Sequence, residues 1–189
     1  VAESVGYFAI GAGAAVAAEP VILLRVNAGG PLIAAIDGGI DWAADTKASP
    51  HPYHNPGSYT AEGDVRMFDS SVDLATTPVE VFATERWDPP TDPEMEWDVP
   101  LDIPIGTTLE VRLYFGNGCY CATEIGARVF DVKIDGVTVL DDYDIIADVG
   151  DQTGVMKSFT VTYDGNVDID FRHLNENPLI RGIEILALD

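Results

Sequence analysis

Leu109, Val111, Leu113 and Phe115 alternate with Glu110, Arg112 and Tyr114, and Phe130, Val132 and Ile134 alternate with Asp131, Lys133 and Asp135. A period of two sends successive side chains to opposite faces of an extended chain. Each segment therefore predicts a strand with one face in a core and one in water. Asp135-Gly136 supplies a turn into residues 137–140, which predicts a hairpin. The alternation returns in Phe159, Val161 and Tyr163 and, after the turn at Asp164-Gly165, in Val167, Ile169 and Phe171. Residues 21–26 form an apolar run broken only by Arg25, as in a strand buried on both faces, and Ile183, Ile185 and Ala187 close the pattern.

No segment carries a sustained i, i+3, i+4 apolar stripe, although residues 43–48 and 141–149 each have room for one helical turn. Many short strands joined by Gly and Asp turns, without helices between them, predict an all-β fold, an antiparallel sandwich. Residues 5–10 read as a short strand and residues 11–18 (GAGAAVAA) as a flexible small-residue linker. Residues 1–18 are accordingly taken as an upstream strand remnant plus linker, and residues 19–189 as the main domain. Val1 in place of Met, with no charged leader ahead of an apolar run, reads as a mature or excised fragment. Residues 37–63 and 85–104 are long connections rich in Pro and Gly. They carry Trp42, Tyr53, Tyr59, Trp87 and Trp97, too many aromatics for plain disorder.

Composition narrows the functional classes. With 189 residues, 47% of them hydrophobic, the chain can build a core without staples. Ten basic residues stand against 32 acidic ones, a formal charge of -22, which repels phosphate backbones and anionic lipid and argues against nucleic-acid partners. The apolar stretch at 9–18 is too short and too weakly hydrophobic to insert in a membrane. The acidity is dispersed, and lysine occurs only at Lys47, Lys133 and Lys157; this composition suits either a protein of high-salt surroundings or an ordinary acidic extracellular module. Cys119 and Cys121 lack the spacing of zinc or redox motifs. They either close a small disulfide or stay free, and an extracellular setting favours the disulfide.

Most local motifs read as structure. Arg25-Val26-Asn27-Ala28-Gly29-Gly30 lacks the lysine and the helix of a phosphate loop, so its glycines are assigned to a backbone turn. His51-Pro52-Tyr53-His54 has no third ligand nearby in sequence, which argues against zinc. His173 reads as an ordinary surface residue. Asp141, Asp142 and Asp144 invite a calcium reading but lack the glycine and terminal glutamate of a calcium loop, so no cofactor is assigned. No nucleophile motif occurs, and no string singles out a carboxylate pair among 32 acids, so the chain is read as non-catalytic.

One ordered set of strings goes further. Residues 25–30 (RVNAGG), 128–132 (RVFDV), 140–145 (LDDYDI) and Glu176-Asn177-Pro178 followed by the apolar closure at 182–187 resemble the malectin-like domain family over about residues 21 to 187. The resemblance implies a jelly-roll-like β-sandwich that binds glucose-containing oligosaccharides in a cleft between loops at one end, lined by aromatics and one carboxylate. Matched position by position, it implies Trp42 after Gly-x-Asp, Tyr59 in Gly-Ser-Tyr, Tyr120 in the loop after Phe115, and Glu176 before Asn-Pro, where the family carries Asp. The chemistry agrees: aromatic planes stack on the C–H faces of sugars, and carboxylates and amides, Asn117 included, bond their hydroxyls. Trp97 is assigned to packing, and Trp87 fits either role. The expected protein is a carbohydrate-binding module of a larger secreted or cell-surface polypeptide, with an oligosaccharide or polysaccharide and neighbouring domains as partners. A structural or adhesive surface sandwich without glycan specificity is the alternative.

Overall fold

The computed structural model describes residues 19–188. The strand and linker expected in residues 1–18 lie outside the described residues. In chain order the strands are β1 (Val21–Ala28), β2 (Ala43–Asp45), β3 (Tyr59–Glu62), β4 (Met67–Phe68), β5 (Thr84–Trp87), β6 (Glu96–Val99) and β7 (Thr108–Gly116). They continue with β8 (Val129–Ile134), β9 (Val137–Tyr143), β10 (Thr153–Thr162), β11 (Val167–Asn175), β12 (Leu179–Ile180) and β13 (Gly182–Ala187). A short helix, α1 (Ile145–Val149), supplies the turn anticipated within 141–149, capped by the Asp144 carboxylate on the N–H groups of Ile146 and Ala147. The turn anticipated at 43–48 does not form. Ala43–Asp45 pairs instead with β1, because the backbone groups there complete the edge of a sheet.

Six strands form one sheet in the order β2-β1-β13-β7-β10-β4, and four form a second in the order β6-β11-β8-β9. A small third sheet, β12-β5-β3, lies beside them. Pairing is antiparallel except for the short β1–β2 and β4–β10 ladders. The two large sheets enclose one core: Val26, Val111, Leu113, Phe115, Ile183 and Ile185 from the first meet Phe130, Val132, Ile169 and Phe171 from the second. Trp97 is sealed in this core, as its assignment to packing expected. β8 alternates half-buried and buried along its length, the period its sequence carries.

Because β7 alternates, Tyr114 faces away from that core and anchors a second one with Trp42, Val72, Val81 and Phe82. Trp42 is fully buried there, with Ile33 bridging its backbone, Tyr114 edge-on at 5.3 Å and the Arg25 guanidinium 5.2 Å from its ring centre. It cannot stack on a sugar. The expectation for Trp42 is corrected: its loop folds back over the sheet because a large ring gains most by leaving water.

Candidate functional site

β3 and β5 pair antiparallel with Tyr59 opposite Trp87 and Ala61 opposite Glu85. Directly opposed residues share a face, so these four side chains form one surface of the small sheet. The rings of Tyr59 and Trp87 stack at 5.1 Å with 25° between planes, and Tyr59 is 52% exposed. Across from this surface runs the loop of residues 118–121, in which Cys119 and Cys121 are joined by a disulfide. Tyr120 projects from the loop, 75% exposed, and its hydroxyl donates to Asp64 at 3.0 Å. The ion pair with Arg66 and this hydroxyl both hold the Asp64 carboxyl below the usual range.

Between sheet and loop lie two adjoining hollows. One, of 670 Å³, is lined by residues 61–64, Glu85 and residues 118–121; the other, of 330 Å³, reaches Trp87, Arg128, Glu176 and Asn177. Ala61, Glu85, Cys119 and Cys121 belong to both, so the two make one cleft. Its floor is charged. Glu85 accepts from the buried Arg181 guanidinium at 2.7 Å, and burial pushes the Glu85 carboxyl up against the pull of Arg181 and Arg128. Arg128, almost fully buried, donates to the Asn177 carbonyl at 2.5 Å, while its Nε has no partner. Burial lowers the Arg128 pKa, and Glu85 and Glu176 raise it.

Two glycines permit this layering. A Cβ on Gly118 would come within 2.6 Å of an Arg181 nitrogen and 2.5 Å of the Asp64 backbone, and one on Gly63 within 2.3 Å of the same guanidinium. Only bare backbone lets Arg181 lie under the cleft.

Of the expected site residues, Tyr120 and Glu176 line the cleft and Tyr59 flanks it through Trp87. Glu176 turns on a positive φ of 54° and accepts from the Asn177 amide at 3.0 Å. Trp42 is excluded, as described above. Asn117 is also excluded: it is 1% exposed, and its amide donates to Asp151 at 2.6 Å, bracing the loop from behind. Sequence reasoning missed Glu85, Arg128 and Asn177 as lining residues and left Trp87 open. The available signal was the spacing of Glu85 and Trp87, two apart on one strand and so on one face.

His51 and His54 also have a structural setting. The buried Asp45 carboxylate receives the His51 backbone N–H at 2.8 Å, lies 3.1 Å from the His54 ring and takes a two-pronged contact from Arg86. Of the three carboxylates that invite a calcium reading, Asp141, Asp142 and Asp144, Asp144 caps α1 and also accepts the Gly126 N–H.

The sequence profile described as the Malectin domain matches residues 22–183. The chain belongs to the malectin domain family. No curated protein matches it. Among solved structures, this malectin domain is similar to the plant receptor-like kinase FER, with 22% identity, a TM-score of 0.74 and coverage of 89% of this chain and 50% of that one. It is similar to the ANX2 ectodomain from Arabidopsis thaliana at 20% identity and a TM-score of 0.72, covering 89% of this chain and 50% of that one. A third neighbour, at 24% identity and a TM-score of 0.73, covering 89% and 49%, is plant peptide RALF23 in complex with FER and LLG2. At these identities the likeness is one of fold, and the malectin domain spans about half the length of the structures it matches. Among the described residues, no helix is long and apolar enough to cross a membrane.

Proposed function

We propose that this malectin domain is a non-catalytic module that binds an oligosaccharide, glucose-containing or related, in the cleft between β3–β5 and the 118–121 loop. The observation that carries the reading is the stacked Tyr59–Trp87 pair beside a cleft that holds Tyr120, Glu85, Arg128 and Glu176. The rings offer an apolar platform for C–H faces, and the carboxylates and guanidinium bond hydroxyls. Membership of the family supports a sugar as the ligand class. The Cys119–Cys121 disulfide and the ectodomain neighbours support an extracellular or cell-surface setting, where the module would hold neighbouring domains of its polypeptide on glycan by raising effective concentration. A glycan array, run at low and high salt, tests this. A defined hit is expected, and Tyr59→Ala and Trp87→Ala are each expected to abolish it while the fold persists. Silence at both salts, or a hit retained by both variants, refutes the site.

A second reading has its own observation. Beside the cleft, sharing Glu62 and Gly63 with it, is a hollow of 730 Å³ walled by Leu32, Ile33, Ile36 and Pro78 and edged by Glu62 and Glu80. An apolar trough with an acidic edge suits a basic, amphipathic peptide, and a peptide is present with one of the neighbouring structures. Binding of cationic peptides that survives Tyr59→Ala but not Leu32→Asp would favour it.

A further inference from the structure

Asp88 follows β5, Glu94 sits in the connection to β6, and His173 lies on β11. One ligand-type atom from each comes within 4.8 Å of the others, the single such trio among the described residues. Asp88 is 1% exposed; one carboxylate oxygen accepts the Met95 N–H at 2.9 Å, and the other, Oδ1, is buried with no hydrogen-bond partner. His173, expected at the surface, is instead largely enclosed. Its Nε2 lies 2.8 Å from the Asp88 backbone carbonyl and its Nδ1 lies 2.5 Å from the Glu94 carboxylate.

Both neighbours of the imidazole are acceptors. A neutral ring has one N–H; given to the Asp88 carbonyl, it leaves an Nδ1 lone pair facing a carboxylate. Those two electron-rich atoms stay together only with a cation between them. A proton can bridge Nδ1 and Glu94, but it leaves Asp88 Oδ1 buried without a partner. A divalent ion bound to Nδ1 and Glu94 at the usual ~2.0–2.2 Å sets those two donors ~3 Å apart, so the partly exposed Glu94 side chain swings back from its 2.5 Å contact as the ion enters and Asp88 Oδ1 completes the set. An N–H held by a backbone carbonyl is also the usual outer contact of a metal-bound histidine, since it fixes the tautomer and aims the other nitrogen. One imidazole and two carboxylates select a borderline ion such as Zn2+ over Ca2+, which prefers oxygen alone. The Glu94 side chain, 37% exposed, opens the trio to solvent.

We propose that Asp88, Glu94 and His173 form a divalent transition-metal site that fastens the connection after Trp87 to β11. The site is independent of the glycan reading. The test is calorimetric titration of the tag-free, EDTA-stripped chain with ZnCl2, in excess CaCl2 to occupy exposed carboxylates, alongside Co2+ absorption and melting curves. The expected result is one equivalent of Zn2+, a visible Co2+ band, and a melting temperature raised by Zn2+ and lowered again by EDTA. His173→Gln and Asp88→Asn are each expected to weaken binding by at least ~10–100-fold. Glu94→Gln, at a half-exposed position that keeps the fold, is expected to weaken it too. The proposal is overturned if no saturable Zn2+ binding survives CaCl2, or if binding is the same in His173→Gln and Glu94→Gln. In either case a proton alone holds the trio together.

Discussion

Replacing Arg181 by Met tests the charged floor on which the cleft is built. The guanidinium, fully buried, donates to the carbonyls of Gly116 at 2.6 Å, Phe82 at 2.8 Å and Thr84 at 3.2 Å, and to Glu85 at 2.7 Å. Methionine fills most of the volume but provides no donor. Removing one member of a buried ion pair typically costs ~3–5 kcal/mol, because the remaining charge is stranded in a poor solvent. Arg128 still attracts Glu85 and softens this, whereas three carbonyls losing a donor add to it. A loss of ~3–5 kcal/mol is a large share of the ~5–15 kcal/mol that stabilises a typical domain, and it corresponds to roughly 6–20 °C in melting temperature. Urea unfolding should show it as a lower midpoint with an unchanged slope.

The reasoning makes two further demands on the same variant. Burial already raises the Glu85 carboxyl and losing Arg181 raises it further, so Glu85 can escape the penalty by taking a proton and the deficit relative to the parent should shrink as the pH falls towards the ordinary carboxylate range. Adding Glu85→Gln to Arg181→Met should restore ~1–3 kcal/mol, because the double variant strands no charge. A single-variant loss below about 1 kcal/mol refutes the argument, as does a double variant that loses the plain sum of its parts. Glu85 would then draw no support from Arg181.

The remaining predictions separate packing from binding and assign one source of acid sensitivity. Trp42→Ala should cost ~3–5 kcal/mol by emptying the second core, and Trp87→Ala, half-exposed, distinctly less; urea unfolding of the pair checks the contrast. Burial pushes the Asp45 carboxyl up, but hydrogen bonds from His54, Arg86 and the N–H groups of His51 and Gly29 win and bring it from 3.8 to about 2. A folded value below the unfolded one stabilises above the unfolded pKa. That contribution, ~2 kcal/mol, is therefore complete above about pH 4 and lost as the pH falls through about 2. In Asp45→Asn the acid limb of the stability curve should be shallower across that interval; an identical limb would count against the assignment.

What could be read from the sequence was what depends on near neighbours. The alternation in β7, β8 and β11 and the Gly turns state which side chains share a face, because a strand's period of two is a property of its own backbone. Those patterns were enough for the sandwich, and the ordered strings at residues 25–30, 128–132, 140–145 and 176–178 with the closure at 182–187 were enough for the family. Tyr120 and Glu176 were legible as cleft residues because both sit in loops flanking recognisable strings.

Tertiary structure decided everything that required distant segments to meet. Trp42 and Tyr59 look alike in sequence, aromatics in one long Gly- and Pro-rich stretch, yet one is sealed beneath Arg25 and Tyr114 and the other stacks on Trp87 in the open. Asn117 was placed behind its loop by Asp151, Arg181 under the cleft by two glycines, and His173 against Asp88 and Glu94 by the connection between β5 and β6. The chain determined its own strands because the direction of a side chain is a local matter. Burial, charge pairing and the shape of a hollow are sums over residues far apart in sequence, so they existed only once the sheets had closed.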